Sequence, residues 1–132
     1  MTKLLNNKIK TNLKDKLLLL VHHHADVDAI SSAIALHSVL ENSTICASDG
    51  ISSHGQKVAS IANCDILESP PDKWDGTLIA LDSSNPEHCS PLPEAENILV
   101  IDHHNKMGGW PEGTEIIHLP QKTSTAEIVF EI

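Results

Sequence analysis

Three runs of apolar side chains stand out along the chain, at Leu17–Val21, 78–81 and 98–101, and a polar cluster follows each at once. Short, uninterrupted apolar runs of this kind predict strands buried on both faces of a parallel sheet. Between them the period lengthens. Val27, Ile30, Ile34, Leu36 and Leu40 predict a helix that ends near Glu41-Asn42, with Asp26 or Asp28 as its cap. Residues 44–47 read as a short strand, 53–62 as a second helix carrying Val58, Ala59 and Ile61, and 65–67 as another short strand. Ser69-Pro70-Pro71-Asp72 breaks the chain before a strand at 77–81, and Asn85-Pro86 opens a turn. Pro91 and Pro93 mark a loop or helix start before a strand at 97–101. Gly108-Gly109-Trp110-Pro111 is a loop, and 115–119 reads as the last strand. Thr123 or Ser124 then caps a helix through Ile132. At the amino end, Leu4, Leu5, Ile9, Leu13 and Leu17 fit an amphipathic helix to about Asp15, with a Lys-rich tail as the alternative.

Strands alternating with helices predict an α/β fold: a Rossmann-like, mostly parallel sheet with helices on both faces. The expected division is a Lys-rich helix or tail over 1–16 and one domain over 17–132. In open parallel sheets, ligands bind beyond the carboxyl ends of the strands. That rule gathers His22-His23-His24-Ala25-Asp26-Val27-Asp28, Asp82-Ser83-Ser84 and Asp102-His103-His104 onto one rim.

Composition narrows the chemistry. The core must rest on Leu, Ile, Val and Ala, because Trp74, Trp110 and Phe130 are the only aromatics apart from histidine. No segment approaches the roughly 18 apolar residues of a membrane span, and the first fifteen residues lack the apolar stretch of a signal peptide. Cys46, Cys64 and Cys89 are odd in number and form no C-x-x-C pair, which suits free thiols in a reducing compartment and a cytoplasmic protein. The net charge is −9 and there is no arginine; five lysines against Asp15 give residues 1–16 a charge of +4, leaving −13 for the rest. Such an acidic body is a poor stand-alone surface for nucleic acid, where phosphate neutralisation dominates. An anionic substrate would need help from outside this chain, whereas bound cations would neutralise part of the acidic charge.

An aspartate at a strand end is, taken singly, most often a cap or turn former, and a histidine pair is usually filler. Three Asp/His clusters at three strand ends point instead to a divalent metal site with two ions, for which carboxylate and imidazole are suitable ligands. Asp26 and Asp28, two residues apart, can face neighbouring ions. His22, His23 and His24 compete as ligands. Asp82, alone at its strand end, suits a bridging carboxylate. Asp102 can orient an imidazole through its second ring nitrogen; His103 or His104 then ligates, leaving the other for phosphate contact or proton transfer. His37, His54, His88 and His118 lack this context and read as non-functional. P-loop, H-E-x-x-H and G-x-S-x-G patterns are absent from the sequence.

The ordered set resembles the amino-terminal part of the DHH phosphoesterase superfamily, which includes RecJ-type exonucleases, NrnA-type oligoribonucleases and family II pyrophosphatases. The resemblance covers about residues 17–132. His22-x-x-x-Asp26-x-Asp28 with Ala29-Ile30-Ser31-Ser32-Ala33 is similar to its first motif and Asp82 to its second. Asp102-His103-His104 is similar to the triplet that names it, and Thr125-Ala126-Glu127 to a short element at a helix start. The resemblance implies two Mn²⁺ ions, with Mg²⁺ as the substitute. His22, Asp26 and Asp82 would hold one, and Asp28, Asp82 and His103 the other, with Asp82 bridging. Asp102 would orient and His104 would approach the scissile phosphate. It implies in-line hydrolysis of phosphodiester bonds in short oligonucleotides or nucleotide phosphates, with inorganic pyrophosphate as the alternative substrate and a non-catalytic metal- or nucleotide-binding module as the rival. A further metal-binding Asp and a carboxyl-terminal substrate-binding domain belong to the family pattern and are not in this sequence. With apolar residues in the last predicted turn and no capping signal, this leads us to expect a truncated chain, inactive alone. Ser83-Ser84-Asn85-Pro86 also departs from the glycine-bearing form of many oligoribonucleases.

Overall fold

The computed structural model describes residues 15–132; the helix or tail expected near the amino end lies almost wholly outside them. Six strands form one all-parallel sheet: β1 (Leu17–Val21), β2 (Ser43–Ala47), β3 (Ile66–Leu67), β4 (Lys73–Leu81), β5 (Glu94–Asp102) and β6 (Glu115–His118), in the order β3-β2-β1-β4-β5-β6. β1 is central, and all five of its residues are fully buried. Alternation across the pleat sends Leu17, Leu19 and Val21 to one face and Leu18 and Leu20 to the other. This is why the run reads as continuously apolar.

Three α-helices, α1 (Val27–Val39), α2 (Ser53–Ala62) and α3 (Thr125–Glu131), join the first face. Ile30, Ala33 and Leu36 of α1 and Ile128 and Val129 of α3 bury there with Ile79, Leu81, Leu99 and Ile101. On the second face, among the described residues, lie a 3-10 turn (Pro86–Cys89) and the 103–114 loop. They close over Leu18, Leu20, Cys46, Trp74, Leu78, Ala80 and Val100 with Cys89, Met107 and Trp110.

β4 and β5 each start several residues earlier than the apolar runs suggested, because their first halves alternate polar residues on the sheet's exposed end. Lys73 pairs with Glu94 and Trp74 with Ala95, and an irregularity follows before Thr77 meets Asn97. Gly76 makes the irregularity possible. A Cβ there would lie 2.1 Å from the Lys16 carbonyl oxygen, and its φ of +149° is one that side chains rarely adopt. The same oxygen accepts from Thr77 N at 2.9 Å and from the Trp74 indole N–H at 3.2 Å.

Candidate metal centre

The sheet register aligns the three clusters. Val21 of β1 pairs with Leu81 of β4, and Leu81 with Ile101 of β5. The next residues are His22, Asp82 and Asp102, a single row at the carboxyl ends of three adjacent strands. The strand order reverses between β1 and β4, the topological switch point where open α/β sheets leave a crevice for ligands.

Asp82 lies at the middle of this row and is only 4% exposed. Its backbone is left-handed, φ 59°, a conformation in which Asp is enriched among non-glycine residues and which is found at functional sites. One carboxylate oxygen faces His22 Nε2 at 3.5 Å; the other faces His103 Nε2 at 3.5 Å and accepts from the Thr125 hydroxyl at 3.0 Å. His22 Nε2 is also 3.8 Å from Asp26 Oδ1, and His103 Nε2 is 3.5 Å from Asp28 Oδ2. Two groups of ligand atoms result, His22–Asp26–Asp82 and Asp82–His103–His104, each mutually within 4.8 Å and both containing Asp82. Asp28 reaches the second group through His103.

Hydrogen bonds outside the cluster aim these side chains. His22 Nδ1 bonds the His23 carbonyl at 2.7 Å, turning Nε2 toward the carboxylates. His23 engages the Ser90 carbonyl at 2.7 Å, and His24 is exposed. Asp26 caps α1, accepting from Ala29 N at 3.0 Å. Asp28, the other possible cap, serves a different helix: its two oxygens accept from Thr125 N at 3.0 Å and Ala126 N at 2.8 Å at the start of α3. Asp102, fully buried, accepts from His104 Nδ1 at 2.6 Å and from His104 N at 3.2 Å. His104 Nε2 is then left for the cavity. The His118 ring in turn donates to the His104 carbonyl, so His118 supports the site from outside it.

The electrostatics suit a cation. The Asp82 carboxylate raises the His22 imidazole to about 9, outweighing burial; the His23 carbonyl and Asp26 add to the effect. Asp82 itself is pushed up, first by burial and then by repulsion from Asp28 and Asp26, against the hydrogen bonds from His22 and Thr125. For His104, burial lowers the pKa, but its bond to Asp102 and the charges of Asp102 and Asp82 win, and the net shift is upward. Asp26 and Asp82 line a cavity of about 340 Å³ together with His22 and His104 and with no lysine in its lining, and Asp28 and His103 approach Asp82 from outside that lining. Carboxylate and imidazole together form a donor set that fits divalent first-row ions.

His88 and Glu87, which no spacing or motif singles out, also line that cavity with His22, His23, Asp26, Asp82 and His104. Their position on the turn directly after β4 is the signal that could have found them. The turn is fastened to the first cluster: His23 N donates to the His88 carbonyl at 2.7 Å, and Ser48 Oγ to the Ser90 carbonyl at 2.9 Å. His37 and His54, by contrast, are not among the cavity's lining residues.

A Methanococcus jannaschii protein assigned to the family II inorganic pyrophosphatases has a similar structure, with a TM-score of 0.70 and 25% identity over 87% of this chain. This chain spans 37% of that protein's length. No curated protein matches it by sequence. The family model for the DHH family, N-terminal domain, matches residues 16–132, so the chain belongs to the DHH family.

Proposed function

We propose that this chain is the metal-binding part of a phosphoesterase-type hydrolase that cleaves phosphodiester bonds of short oligonucleotides or nucleotide phosphates with two Mn²⁺ ions. The observation that carries the reading is Asp82, a buried carboxylate whose two oxygens face two separate groups of imidazole and carboxylate ligands. His22, Asp26 and Asp82 would hold one ion; Asp28, Asp82 and His103 would hold the other. Bound there, such ions supply Lewis acidity toward phosphoryl oxygens and lower the pKa of water. The chain's own groups do the rest. Asp102 fixes the His104 ring through Nδ1, and Nε2, with its raised proton affinity, is available to hold or give a proton at a phosphate or leaving-group oxygen. Thr125 and the amide groups of α3 keep Asp82 and Asp28 in place.

The likeness to a protein assigned to the family II pyrophosphatases favours inorganic pyrophosphate as a second reading. Both readings use the same ligands. Hydrolysis of a model phosphodiester and of pyrophosphate by the Mn²⁺-loaded full-length protein that carries this chain separates them. Loss of turnover in Asp82→Asn is expected in either case; an unchanged rate in that variant refutes the assignment.

A further inference from the structure

The segment after Asp82, Ser83-Ser84-Asn85-Pro86, leads into a second cavity. It has a volume of about 400 Å³ and is lined by Ser84, Asn85, Pro86 and Glu87 on one side and by Lys106, Met107, Gly108 and Gly109 on the other. These walls are the segments that immediately follow Asp82 and the Asp102-His103-His104 triplet. They are fixed to each other: Gly108 N and the Trp110 indole N–H both donate to the Ser84 carbonyl, at 3.0 and 3.3 Å. Glu87 lines both this cavity and the one around the metal ligands, so the two meet at one side chain.

We propose that this second cavity is a nucleobase subsite, receiving the base of a nucleotide whose phosphate lies at the metal centre. The inference rests on the phosphoesterase reading and chooses nucleotide-bearing substrates over pyrophosphate. The lining decides the class. Pro86 and Met107 offer apolar contact for a flat ring. Asn85 spends its Oδ1 on Glu87 N, at 2.9 Å, which leaves its side-chain N–H₂ to donate. Lys106 adds a second donor, whereas Glu87 can accept. A mixed set of donors and acceptors beside apolar surface matches the edge and face of a base. A second phosphate group has acceptors only and would meet the Glu87 carboxylate at the junction. The volume lies within the usual range of roughly 300–1,000 Å³ for small-molecule pockets.

The test compares binding of adenosine 5′-monophosphate, ribose 5-phosphate and inorganic phosphate to the Mn²⁺-loaded protein by calorimetry. The amide resonances of Gly108 and Gly109 are followed in the diamagnetic Mg²⁺ form. The nucleotide is expected to bind about tenfold or more tightly than ribose 5-phosphate, a difference set by the base, and to shift both glycine signals. Gly108 lines the cavity and a Cβ there meets nothing within 4 Å, so Gly108→Leu adds a bulky side chain to the cavity wall without a clash at its Cβ and should bring the ratio to about one. Lys106→Ala, at an exposed side chain, should reduce it in the same direction. A ratio of one in the parent protein, or a ratio that survives Gly108→Leu, overturns the subsite while leaving phosphate binding at the metals as support for the phosphoesterase reading. Failure of all three ligands to bind the Mn²⁺-loaded protein overturns both.

Discussion

Loading of the metal centre should be a proton exchange at His22. In the metal-free protein this imidazole is raised to about 9 by Asp82, so it is protonated at neutral pH and an ion must displace that proton. The sign follows directly. Between pH 7 and about 9 the apparent affinity of the first site rises by about tenfold per pH unit, roughly a hundredfold across that span, and then levels off. The same proton stabilises the metal-free fold. Because the folded pKa lies above the ordinary 6.5, this contribution is complete below pH 6.5 and fades as pH rises through about 9. Calorimetric titration with Mn²⁺ at pH 7, in two buffers of different ionisation heat, should count about one proton released at this site, with smaller release at higher pH. In Asp82→Asn the His22 titration, followed by NMR in the metal-free protein, should move down toward its ordinary value. Affinity that is flat from pH 7 to 8.5 with no proton release would refute the reasoning.

Three further outcomes follow from the fold. Asp28→Ala leaves two amide groups of α3 without acceptors, so hydrogen exchange at Thr125 and Ala126 should quicken by roughly ten- to a hundredfold, the equivalent of one or two hydrogen bonds to a charged group; unchanged protection would show that α3 is held without them. Thr77 is fully buried and its hydroxyl has no partner among the described residues. Thr77→Val should therefore stabilise the protein by about 1 kcal/mol in urea unfolding, and a loss of stability would contradict this. Gly76→Ala should destabilise by about 1–3 kcal/mol in the same assay, since its Cβ would collide with the Lys16 carbonyl and its backbone would be strained; a neutral result would mean that the irregularity in β4 relaxes freely.

The sheet was legible where burial is two-sided. Residues 17–21, 78–81 and 98–101 are apolar at every position because both faces are covered, and the clusters after them mark the carboxyl ends. The early halves of β4 and β5 were hidden, since Lys73, Asp75, Glu94 and Glu96 sit where the sheet meets water and carry no apolar pattern. Partners distant in sequence were hidden too. Asp28 holds the start of a helix 97 positions away, a bond that no local spacing encodes. His22 could not be told from His23 and His24 by residue type; the structure separates His22 from His23 through the carbonyl that each ring faces, and leaves His24 exposed. His88 looked like a stray histidine because its place in the cavity depends on the turn after β4 folding back onto the first cluster.

The central claim is that Asp82 is shared by two ions. Electron paramagnetic resonance of the protein titrated with Mn²⁺ tests it most directly, because two manganese ions bridged by one carboxylate are magnetically coupled. The account predicts two Mn²⁺ per chain with a coupled spectrum, and loss of the coupling in Asp82→Asn. Two uncoupled ions in the parent protein, or a coupled pair that persists in Asp82→Asn, would contradict it.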